Sequence, residues 1–79
     1  MDFVEVQAYL NKRGQLTPTS FIWRKKNYLI DSIGRRWNDK DGQHMYVMII
    51  GGRVFELLFK PATGGWYLGR IKTKYPRLA

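Results

Sequence analysis

Met45-Tyr46-Val47-Met48-Ile49-Ile50-Gly51-Gly52-Arg53-Val54-Phe55-Glu56-Leu57-Leu58-Phe59 is the stretch on which the fold turns. Met45 to Ile50 is an unbroken apolar run, short for a helix and closed by Gly51-Gly52, a pair suited to the positive backbone angles of a tight hairpin. Beyond the turn, Phe55, Leu57 and Phe59 alternate with Val54, Glu56 and Leu58, the period of two of an extended chain. Strands this apolar on both faces belong at the centre of a sheet.

Working outward, Pro61-Ala62-Thr63-Gly64-Gly65 reads as a turn into a last strand from Trp66 to about Tyr75, closed by Pro76. On the other side, Asn38-Asp39-Lys40-Asp41-Gly42 is a dense cluster of turn formers. The segment before it has two readings, because Ile30, Ile33 and Trp37 recur at helical spacing while Gly34 disfavours a helix. A strand with a bulge or bend is the reading adopted. Arg24-Lys25-Lys26-Asn27 reads as a hairpin turn, with Asn27 suited to a left-handed angle, and Phe21 and Trp23 before it face a core. Pro18 marks the end of a loop that begins at Lys12-Arg13-Gly14-Gln15. At the start, Val4, Val6, Ala8 and Leu10 alternate with Phe3, Glu5, Gln7 and Tyr9, giving a first strand with one buried face.

These segments describe one small all-β domain over residues 1–79. It is an antiparallel meander of five or six strands, curled into a partly open barrel or strongly bent sheet. The chain shows no internal repeat, linker or low-complexity tract. At 79 residues it buries only roughly 60% of its unfolded surface, so Trp23, Trp37, Trp66, Phe21, Phe55 and Phe59 carry much of the core. Without cysteine it has neither a disulfide framework nor a thiolate metal site, and a reducing cytoplasm is expected. The opening residues lack the pattern of a signal peptide, and no apolar run approaches the about 20 residues that span a bilayer.

Charge narrows the function further, since 14 Lys+Arg against 6 Asp+Glu leave a net +8 spread along the chain. Such a field attracts polyanions over roughly 8 Å at physiological salt, making nucleic acid or an acidic protein the natural partner, although it also serves plain solubility. Basic residues cluster at Arg24, Lys25 and Lys26, at Arg35 and Arg36, and along the last strand at Arg70, Lys72 and Lys74, with Arg77 beyond. Strict alternation puts Trp66, Leu68, Arg70, Lys72 and Lys74 on one face, at a spacing of roughly 6.6 to 6.8 Å that can follow a phosphate backbone. The same face also reads as a solvated edge that discourages aggregation. Trp23 and Trp37 lie beside cations and serve as stacking platforms or core anchors, while Tyr9, Tyr46, Tyr67 and Tyr75 are further stacking candidates.

Together, Val4-Glu5-Val6, Gly14, Pro18, Phe21-Ile22-Trp23-Arg24, Tyr28, Trp37, Glu56-Leu57 and Thr63-Gly64-Gly65-Trp66-Tyr67-Leu68 cover nearly the whole chain. In these residues the sequence resembles a small family of uncharacterised bacterial proteins. Related segments look to be appended to proteins similar to error-prone DNA polymerases, so the resemblance implies a DNA-repair context by association. It brings no catalytic residue and no ligand. The chain departs from the family pattern at Lys25-Lys26-Asn27, where a Gly-Arg pair is usual, and at Gln43-His44, where aromatics are common.

No catalytic constellation emerges, and neither a metal nor a cofactor is expected. His44 has no cysteine to pair with, and Ser20 and Ser32 stand in no nucleophile motif. Asp31 and Glu56 are more simply ion-pair partners for arginine than paired acid and base. Asp39-Lys40-Asp41-Gly42 lacks the later oxygen ligands of a calcium loop, and Gly64-Gly65 leads into a strand, unlike a phosphate-binding loop. The expectation is a non-enzymatic basic domain contacting nucleic-acid backbone, DNA or RNA, with little sequence specificity. The alternative is a protein-interaction module or homodimer using an exposed apolar strand or the Met45–Ile50 segment.

Overall fold

The central hairpin forms from β4 (Gly42–Ile49) and β5 (Val54–Lys60), paired antiparallel from Gln43↔Phe59 to Met48↔Val54, but its reversal is wider than the expected Gly51-Gly52 pair and takes in Ile50 and Arg53. The computed structural model describes the backbone of residues 2–72 and the side chains of residues 2–69. The remaining strands are β1 (Asp2–Leu10), β2 (Leu16–Trp23), β3 (Lys26–Asp39) and β6 (Gly65–Lys72). All six run antiparallel to their neighbours, and β1 returns to β6 to close a barrel. The interior packs Val4, Phe21, Met45, Val47, Phe55, Leu57, Trp66 and Leu68, with Trp23, Tyr28, Ile30, Ile33 and Phe59 partly buried around them.

β3 settles the ambiguity between helix and strand. It is a bent strand of 14 residues whose register against β4 shifts twice, between Ile30 and Ser32 and between Ile33 and Arg36. Ile30, Ile33 and Arg36 therefore oppose the buried Ile49, Val47 and Met45. Each bulge inserts one residue, so the inward positions fall three apart and imitate a helical period. Trp37 stands on the outer wall, its ring stacked on His44 with centroids 5.0 Å apart and planes 6° from parallel.

The closure is uneven. Among the described residues, β1 pairs with β6 only over Asp2–Val4, and β2 pairs with β3 only over Ser20–Trp23. Above those rungs, β1 and β2 pair with no other described strand. Arg36 crosses toward β2, its guanidinium donating to the Leu16 carbonyl at 2.9 Å and to Thr17 Oγ1 at 3.4 Å. A charged side chain thus stands in for the missing ladder.

Two further turn expectations are corrected. Pro18 lies inside β2, buried and opposite Ala8 at a bulge, where β2 has no partner on its β3 side and a missing N–H is tolerated. The β2–β3 reversal is tighter than read. Arg24 and Lys25 take the positive φ angles, 52° and 66°, while Asn27 belongs to β3 opposite Ile22.

Candidate nucleic-acid interface

In an up-and-down barrel, alternate connections come to the same end, which decides where separate basic segments meet. The β2–β3 turn, the β4–β5 loop and the last residues of β6 share one end. Arg24, Lys25, Lys26 and Arg53 are all exposed there. In register, Lys72 pairs with Val54 at the start of β5, so its backbone lies at that end too. A shallow groove of about 380 Å³ runs between Lys26 and Arg53, with Asn27, Leu29 and Ile50 on its walls.

This rim is held from below by aromatic packing. The Trp23 indole N–H donates to Asp2 at 2.9 Å, and its ring packs against Tyr28 and Phe55. Arg24 lies 4.4 Å over Trp23, and Arg53 lies 5.0 Å from the ring centre of Phe55. A guanidinium resting on a ring loses less freedom when it meets a phosphate than one swinging in solvent. The positive φ angles at Arg24 and Lys25 occur where Asn-Gly would sit without strain, so the turn holds cations at a conformational cost.

The other basic residues do not all join it. Arg36 is inward in register and bonded to β2, so it is not a free phosphate contact. Arg35 is exposed on β3, 5.6 Å from the Trp37 ring. The proposed single face of the last strand is interrupted. Trp66 and Leu68 are buried in the core, and the register then shifts so that Glu56 faces both Gly69 and Arg70. Strict alternation from Trp66 through Lys72 therefore does not hold; Lys74 and Arg77 lie outside the described residues.

Among the described residues, no lysine or arginine forms an ion pair. Three of the six carboxylates have other partners. Asp2 accepts from Trp23, while Asp39 and Glu56 flank His44, with Oδ2 2.8 Å from Nε2 and Oε2 3.2 Å from Nδ1. The Asp39 contact is short but off-axis, since Nε2 has no aligned hydrogen bond, so it acts through charge. Burial pulls the His44 pKa down, but the two carboxylates outweigh it and hold it above its ordinary 6.5. The contact with His44, helped by the backbone N–H groups of Asp41 and Gly42, lowers the Asp39 pKa. Asp39 Oδ1 accepts from Asp41 N at 2.8 Å and from Gly42 N at 3.3 Å, closing the β3–β4 turn.

Ser20 donates to Gln7 Oε1 at 3.3 Å on the outer wall, an arrangement that stabilises the β1–β2 pair. Of the stacking candidates, Tyr9 is 54% exposed, Tyr46 tilts against Trp37, and Tyr67 lies under Lys60; Tyr75 is outside the described residues. Four exposed cations, Lys12, Arg13, Lys40 and Arg53, fall outside the basic clusters that the sequence marks, because each stands in or beside a turn. For Lys12 and Arg13, a basic pair followed by glycine between two strands was the available signal. No family model, curated protein or solved structure matches the chain.

Proposed function

We propose that this domain binds nucleic acid through phosphate contacts at the end of the barrel bearing Arg24, Lys25, Lys26 and Arg53. One observation carries the reading: the described lysines and arginines are without ion-pair partners, while Asp2, Asp39 and Glu56 are engaged by tryptophan and histidine. Cations left facing solvent are free to replace the counterions condensed on a nucleic acid, and the release of those counterions drives binding and makes it depend on salt. Trp23 anchors the arginine beside it, and the strained turn fixes the two residues at its tip. The contacts are to the backbone, so little sequence preference is expected. The resemblance to segments joined to polymerase-like proteins favours a DNA-repair setting. Replacing Lys25 and Lys26 together with alanine is the direct test; affinity should fall and log Kobs should vary less steeply with log salt.

A second reading has its own observation. Ile22, Leu29 and Ile50 are 45%, 54% and 65% exposed on the outer wall near the same end, which suits a protein partner or a second copy. Met45, Val47 and Ile49 are in the core, so the interface cannot be the whole Met45–Ile50 segment. An apparent mass that doubles and survives high salt would favour it.

A further inference from the structure

At the opposite end of the barrel, Ala8–Leu10 and Leu16–Pro18 pair with each other and, among the described residues, with no other strand. The connection between them is stiff. Asn11 Oδ1 accepts from the backbone N–H groups of Arg13 and Gln15, both at 2.9 Å, and Asn11 Nδ2 donates to Gln15 Oε1 at 3.0 Å. Asn11 N also donates to the Gln15 carbonyl and Gly14 N to the Asn11 carbonyl, both at 2.9 Å, with Gly14 at a φ of 75°. Lys12 and Arg13 sit at the tip, exposed and without ion pairs, and the adjoining β1 residues Tyr9 and Leu10 are 54% and 67% exposed. Arg36 braces the β2 side of the base.

From this arrangement we infer that the β1–β2 ribbon is a second contact, which enters the major groove of B-form duplex DNA. The inference rests on the nucleic-acid reading above and narrows it to a class of polymer. A groove about 12 Å wide and 8.5 Å deep admits a two-stranded ribbon. The barrel, 25 Å across its smallest extent, is too wide. Three paired residues per strand reach about 10 Å, close to the groove width, so the ribbon lies across the groove with its tip at one phosphate wall. Lys12 and Arg13 then meet phosphates at that wall, and Tyr9 or Leu10, which stand on opposite faces of β1, supplies apolar surface toward the bases. The major groove of an RNA duplex is too deep and narrow for such an element, and a single strand has no groove.

The test compares wild type, Lys12→Ala/Arg13→Ala and Lys25→Ala/Lys26→Ala on labelled duplex DNA, duplex RNA and single-stranded DNA of equal length. Fluorescence anisotropy is read across a salt series, with circular dichroism confirming each fold. The tip variant should lose affinity for duplex DNA alone, its salt slope shallower by about 1.8 for two phosphates. The rim variant should lose affinity for all three polymers alike. A major-groove dye should compete with wild type for duplex DNA where a minor-groove dye does not. If wild type binds while the tip variant matches it on duplex DNA, or weakens equally on all three polymers, the ribbon assignment is overturned and the rim reading stands. If wild type binds none of them at low salt, both fall.

Discussion

Gly42 and Lys25 show how single residues fix this barrel, one by necessity and one by tolerance of strain. Gly42 has a φ of 146°, and a Cβ there would overlap the Phe59 carbonyl oxygen and press on Leu58. Gly42→Ala should therefore destabilise the fold by about 3 kcal/mol, as β4 and β5 separate at their paired ends. Urea unfolding would measure it, and a loss below about 1 kcal/mol would mean that the strands yield easily. Lys25 is the converse case, a non-glycine residue held at a φ of 66°. Lys25→Gly should stabilise the domain by about 1 kcal/mol while weakening nucleic-acid binding. Unchanged thermal stability would show that the turn stores no strain. Neither residue's angle was legible in the sequence, where Asn27 was the natural choice for the left-handed position and Arg-Lys gave no hint of a tight reversal.

At the scale of elements, β4 and β5 could be read directly because strict alternation survives wherever a ladder is unbroken. β3 and β6 were harder, for one shared reason. Bulges displace the inward positions, giving Ile30, Ile33 and Arg36 a spacing of threes and breaking the expected row of Arg70 and Lys72 beyond Leu68. Long-range pairing, not local composition, decides where a bulge falls. The His44 clasp was invisible for the same reason, since Asp39 lies across the β3–β4 turn and Glu56 on β5. Its effect on stability has a definite sign. With a folded pKa above the ordinary 6.5, protonated His44 contributes stability in full below that value and loses it as pH rises through the folded pKa. Asp39, lowered from 3.8, contributes above that value and loses its share as pH falls through its folded pKa. The urea midpoint of wild type should accordingly drop between pH 6 and pH 9 relative to His44→Gln. A midpoint that rises or stays level against the variant would contradict the clasp.

For the whole molecule, the up-and-down topology gathers cations that are scattered along the chain. Arg24, Lys25 and Lys26 come from one turn and Arg53 from another, yet both turns lie at one end because alternate connections must. The same rule sends Lys12 and Arg13 to the other end. All-β class, meander order and a curled sheet were legible from composition and turn signals; closure of the barrel depended on β1 meeting β6, which no local pattern announces. The central claim is that this unneutralised charge binds a polyanion, and the salt dependence of duplex DNA binding tests it most directly. A linear fall of log Kobs with log salt is expected, its slope reduced by about 0.9 for each rim lysine replaced that contacts a phosphate. Binding that is absent at low salt, or that does not change as salt is raised, would contradict it.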